Sequence, residues 1–142
     1  MKNKLIGIYE LITGIFGTVL VVFITLQKIF LKETQVLPSA FLGLILFLGV
    51  AFSGYGLIKE KKYGRKYSLW LQALQTISFT YNGIQYIFTG SAFLALVFDN
   101  GIHLQTKLAL VDYNIDRVSI LFPFELKIYI LPVILLLLLI KK

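Results

Sequence analysis

The chain has 142 residues, 58% of them hydrophobic, with 14 lysines and arginines, seven acids and no cysteine. Mean hydropathy is +0.83, whereas soluble domains are roughly 45–50% apolar, so a soluble fold of this size could not cover its apolar surface with so few charges. Without thiols, disulfides, thiolate metal sites, iron–sulfur clusters and dithiol redox chemistry are all excluded.

A membrane-spanning helix needs about 20 predominantly apolar residues, at about 1.5 Å each across a core of about 30 Å. Four such helices are predicted within a single domain covering 1–142, at residues 5–27, 36–58, 68–92 and 123–140. The first follows "MKNK", as a signal peptide would. It is long, however, carries Glu10 and shows no small-x-small cleavage pattern before Lys28, so it reads as a retained signal-anchor helix. The second is charge-free, and the third lies in a charge-free run from 67 to 98. The fourth is continuously apolar only from 128. It reaches spanning length if Pro123 opens the helix, Glu125 sits at its positive end and Lys127 snorkels outward.

Between the second and third spans, "GLIKEKKYGRKYSLW" packs Lys59, Lys61, Lys62, Arg65 and Lys66 into eight positions. Four spans place this run with residues 1–4 and 141–142, a side holding nine basic residues and one acid. The other side, 28–33 and 99–127, holds five of each. Positive-inside bias then puts both termini and the basic run in the cytoplasm of a multi-pass inner-membrane protein. With Trp70, these residues read as a membrane-surface anchor facing anionic lipid headgroups rather than nucleic acid, because no nucleic-acid-binding motif accompanies the run.

After the third span the period changes from helical to alternating. In "IHLQTKLALV" (102–111), Ile102, Leu104, Leu108 and Leu110 alternate with polar positions, "DNG" (99–101) precedes it as a turn signal, and Val118, Ile120 and Phe122 alternate again. The expected fold is therefore an all-α integral membrane protein. Its four transmembrane helices carry a small extracytoplasmic β-hairpin or three-stranded meander over 93–122, between helices 3 and 4. An interfacial amphipathic helix over 102–111 is the rival.

Polar residues within spans are the candidate functional positions. Gln75, Ser78, Asn82, Gln85 and Thr89 are spaced 3, 4, 3 and 4 apart, which on a helix forms one seam. Glu10 is the one ionisable residue clearly inside a span. It reads either as an interfacial carboxylate paired with Lys4 or the basic run, or as a proton- or ligand-binding group opposite the seam. Gly7, Gly14 and Gly17 on span one, and Gly43, Gly49 and Ser53 on span two, are the expected helix-packing positions. His103 is the sole histidine, the acids match no calcium loop, and no catalytic motif occurs. No catalytic residue, metal or cofactor is expected. The expected function is a non-enzymatic binding or assembly component that uses its polar and small-residue helix faces to self-associate or to join a larger membrane complex. The alternative is a small transporter or channel whose path follows the seam and Glu10.

Overall fold

The computed structural model describes residues 2–32, 37–81, 84–90, 94–99, 101–106, 112–117 and 124–141. It corrects the all-α expectation: four helices accompany a six-stranded antiparallel sheet, in two units, Met1–Ser68 and Leu69–Lys142.

The first unit is a helical hairpin. α1 (Lys2–Phe30) and α2 (Leu37–Ile58) have 29 and 22 residues, about 43 and 33 Å at the α-helical rise. Both are long and apolar enough to cross a membrane, and they take up the first two predicted spans. Their contact face is built from small residues. A methyl on Gly7 would stand 2.7 Å from the Gly54 carbonyl oxygen, and one on Gly54 2.6 Å from that of Gly7. At Gly14 it would overlap the Ala51 backbone, and at Gly17 the Phe47 ring. Only glycine permits this approach. Gly43 is buried on α2 and Gly49 half-buried. Ile8, Ile12, Ile15 and Val19 of α1, with Phe41, Ile45, Leu48 and Phe52 of α2, point outward and exposed. The α1 hydroxyls are satisfied within their own helix: Thr13 donates to the Tyr9 carbonyl at 2.9 Å, and Thr18 to that of Gly14 at 2.8 Å.

The third predicted span, 68–92, is overturned. α3 (Lys62–Thr76) runs from the basic segment and ends at Thr76, where β1 (Ile77–Tyr81) and β2 (Ile84–Thr89) begin. From Thr76 the chain is rich in β-branched and aromatic residues, which pack well on a pleated surface and lose χ1 freedom in a helix. β3 (Leu94–Phe98) and β4 (Ile102–Thr106) pair as the alternation around 102–106 implies, with Asp99 N–H donating to the Gly101 carbonyl at 3.2 Å. Positions 107–111 and 118–123 of the expected meander lie outside the described residues.

β5 (Asp112–Arg117) and β6 (Glu125–Tyr129) complete the sheet, in the order β4-β3-β6-β1-β2-β5. The fourth predicted span, 123–140, is also overturned. Its first part is β6, and α4 (Ile130–Ile140) has 11 residues, about 16 Å. Pro132 rather than Pro123 marks the helix start. It lies in the first turn of α4, and its missing N–H and fixed φ disfavour helix upstream. α4 packs against β3.

Polarity along β1 is inverted, whereas β3 buries the apolar Ala95 and Val97 on the same face of the sheet. Along β1, Ser78 and Thr80 are 2% and 5% exposed, while Ile77, Phe79 and Tyr81 are exposed. Register puts Phe79 opposite Tyr86 and Leu126, and Leu96 opposite Leu104 and Ile128, so one face is apolar from β4 to β2, with Arg117 of β5 opposite Ile84 at its edge. Its outermost members include Ile84, Leu104 and Ile102, the last 74% exposed. Tyr86 stacks on Phe79 with ring centroids 5.7 Å apart and donates its hydroxyl to the Leu74 carbonyl at 3.1 Å, one of the C-terminal carbonyls α3 leaves unpaired. Burial raises the Tyr86 hydroxyl pKa above its ordinary value.

Gly54→Val should lower the stability of the hairpin by about 1–3 kcal/mol through overpacking, as measured by reversible unfolding in detergent micelles. Ile15→Val on the outer face should change it by less than about 0.5 kcal/mol.

Candidate functional site

Glu10 is 0% exposed and lies where the helices approach closely, with Gly54 facing Gly7, the Leu11 nitrogen and the Glu10 Cβ. Both carboxyl oxygens accept serine hydroxyls. Ser53 Oγ on α2 is 2.9 Å from Oε2, and Ser68 Oγ on α3 donates to Oε1. The single Ser53 proton also has the Val50 carbonyl within 2.9 Å. A carboxyl enclosed this far from water is tolerable only when its oxygens are hydrogen-bonded, and here α2 and α3 each supply one donor to the α1 carboxylate. Ser53, expected as a packing residue, is therefore a ligand of Glu10. Lys4, one of the partners expected for Glu10 beside the basic run, has its Nζ 3.2 Å from Glu60 Oε1.

Below this clasp the chain reverses tightly from α2 into α3. Lys61 N–H donates to the Gly56 carbonyl at 2.8 Å and Glu60 N–H to that of Leu57 at 3.1 Å, the paired bonds of a Schellman closure. Glu60 fills the left-handed position with φ 55°. A Cβ on Gly56 would stand 2.7 Å from the Gly64 Cα, so two glycines let α3 start directly against the end of α2. The result is a cavity of about 480 Å³ lined by Asn3, Lys4, Leu57, Glu60, Lys61, Lys62 and Arg65. Phe52 of α2 stacks on Tyr63 of α3 with ring centroids 4.9 Å apart, and Lys59 Nζ lies 6.0 Å from the Tyr55 ring centre. Of the predicted anchor, Lys59, Lys61, Lys62 and Lys66 are exposed, Arg65 is half-buried and Trp70 is 67% exposed.

The predicted seam does not lie on one helix. Gln75 belongs to α3, Ser78 to β1, and Gln85 and Thr89 to β2, while Asn82 lies outside the described residues. Ser78, Gln85 and Thr89 nevertheless share a sheet face, because Gln85 pairs with Thr80 across the hairpin and residues two apart point the same way. Ser78 donates to the Tyr129 hydroxyl at 3.4 Å, and Gln85 to the Thr80 hydroxyl at 3.4 Å. Gln75 is 1% exposed, and neither its amide oxygen nor its nitrogen has a partner among the described residues.

Sequence reasoning missed Ser68, Gly54, Gly56 and Gly64. "SGYG" (53–56) and the glycine inside the basic run were readable small-residue signals. Ser68 carried no local signal, since its partner lies 58 positions away. Among the described residues no group of histidines, cysteines and acids could hold a metal ion. The chain matches no protein-family model, no curated protein and no solved structure.

Ser53→Ala and Ser68→Ala should each destabilise the first unit by about 1–3 kcal/mol, the scale of a buried hydrogen bond to a charged or desolvated group. The double variant combined with Glu10→Leu should cost less than the three changes summed, because their effects are shared. Unfolding midpoints in micelles measure both.

Proposed function

We propose that the protein is a membrane-embedded, non-enzymatic binding or assembly component that self-associates or joins a larger membrane complex. The observation that carries this reading is the apolar face of the sheet. A sheet that buries the hydroxyls of Ser78, Thr80 and Thr89 while exposing Ile77, Phe79, Tyr81, Ile84, Ile102 and Leu104 leaves an apolar face for a protein partner or acyl chains to cover. The small-residue face of the hairpin supports a narrower role than partner binding, since Gly7, Gly14, Gly17 and Gly54 are occupied between α1 and α2. Assembly is therefore assigned to the sheet face, and anchoring to the hairpin.

Two spans, α1 and α2, hold the chain in the inner membrane. The Lys4–Glu60 ion pair keeps the start of α1 and the basic run on one side, and the excess of lysine and arginine there assigns that side to the cytoplasm, against anionic headgroups. Later elements are short for a crossing: α4 has 11 residues, and each strand has five or six, against about 9–11 for a membrane strand. Both termini are then cytoplasmic. Nucleic acid has no part in this reading.

Two measurements test it. Single cysteines at Lys62 and Gly101 should label from the same face of sealed inverted vesicles, and labelling from opposite faces would overturn the two-span topology. Cross-linking in native membranes should capture an oligomer or a partner, with Phe79→Lys and Ile102→Lys reducing capture. A wild-type chain that stays monomeric and uncross-linked would overturn the assembly role.

A further inference from the structure

We propose that the cavity at the basic end of the hairpin binds a phosphate group, carried by an anionic lipid or free in solution. Four cations, Lys4, Lys61, Lys62 and Arg65, line it against one carboxylate, Glu60. About 480 Å³ is room for a phosphate with its glycerol ester. The donor set also suits that anion: a planar guanidinium that can grip two oxygens, ammonium groups as point charges, and the amide of Asn3.

Helix electrostatics point the same way. Asn3 and Lys4 lie in the first turn of α1, and Lys62 and Arg65 in the first turn of α3, and neither first turn contains an acid. The N-terminal end of a helix carries partial positive charge and free N–H groups, so basic residues there are unfavourable. Two such ends meet at one cavity wall. An anion between them satisfies both dipoles and the side chains together.

Glu60 is the third observation. It occupies a left-handed position at φ 55°, where glycine is unstrained and other residues are held at a cost. Its carboxylate is largely exposed and bridges Lys4 at 3.2 Å. The Schellman closure thus sets an internal counter-anion at the cavity mouth, which an arriving phosphate displaces from Lys4.

The lipid form of the proposal rests on α1 and α2 spanning the membrane, and the free-phosphate form does not. The full-length protein in dodecylmaltoside is titrated with inorganic phosphate at about 0.15 M ionic strength. In parallel, retention of phosphatidylglycerol over phosphatidylcholine is read by native mass spectrometry. Lys62→Gln and Arg65→Gln should each weaken binding about tenfold, and Glu60→Gln should tighten it several-fold. Lys59→Gln and Lys66→Gln remove the same charge from the same run outside the cavity and should change little. Circular dichroism checks that each variant is folded. Phosphate binding without lipid preference identifies a soluble ligand, and lipid retention without phosphate binding identifies a headgroup; either supports the site. Neither probe binding, or equal weakening by the Lys59 and Lys66 variants, overturns it. Release of the protein from membranes by alkaline carbonate would defeat the spanning hairpin while leaving the phosphate titration decisive.

Discussion

Backbone-to-backbone approach of α1 and α2 is the constraint from which the first unit follows. Gly7 and Gly54 are each placed so that a methyl group would strike the other's carbonyl oxygen. Between helices in this register Phe47 fills the space against Gly17, and Glu10 runs toward Ser53 and Ser68. Close approach thus does two things. It maximises dispersion contact between the two backbones, and it encloses a carboxyl whose oxygens then require internal donors. Ser68 meets that requirement only because Gly56 and Gly64 let α3 begin against the end of α2.

The same tight reversal gathers charge. A looser turn would let five basic side chains spread into solvent. The Schellman closure and the left-handed Glu60 instead hold Lys61, Lys62 and Arg65 beside the first turn of α1. One local geometry therefore accounts for both the enclosed carboxyl and the cationic cavity.

The second unit follows a different logic. β6 sits between β1 and β3 and joins two hairpins into one sheet. Its register aligns Leu126 and Ile128 with Phe79, Ile77, Phe98 and Leu96 on the apolar face. The opposite face carries Ser78, Thr80, Gln85 and Thr89 (hydroxyls and an amide) with limited access to water. Such a sheet is at odds with an aqueous surround on its apolar side, and its composition is the reason the whole stretch resembled a membrane helix.

Periodicity alone could not separate the two readings. Positions 78, 85 and 89 fall on one side of a helix by the 3–4 rule. They also fall on one face of a hairpin in which Tyr81 pairs with Ile84, because a two-residue connection switches which parity faces inward. The local clue was the run of β-branched and aromatic residues around Asn82-Gly83, a dipeptide favoured in two-residue hairpin loops. Hydropathy masked it, since it counts apolar residues without regard to their rotamer preferences.

By itself the sequence determined two helices long and apolar enough to cross a bilayer, the clustering of charge between apolar runs, the small-residue face of the hairpin and the absence of thiol chemistry. These are properties of neighbours along the chain, and composition and spacing report them directly. Tertiary structure alone decided that Glu10 meets serines 43 and 58 positions away, that residues 125–129 lie between β1 and β3, and that two helix N-termini share one cationic cavity. Each depends on which distant segments come into register, and no window of neighbouring residues contains that information.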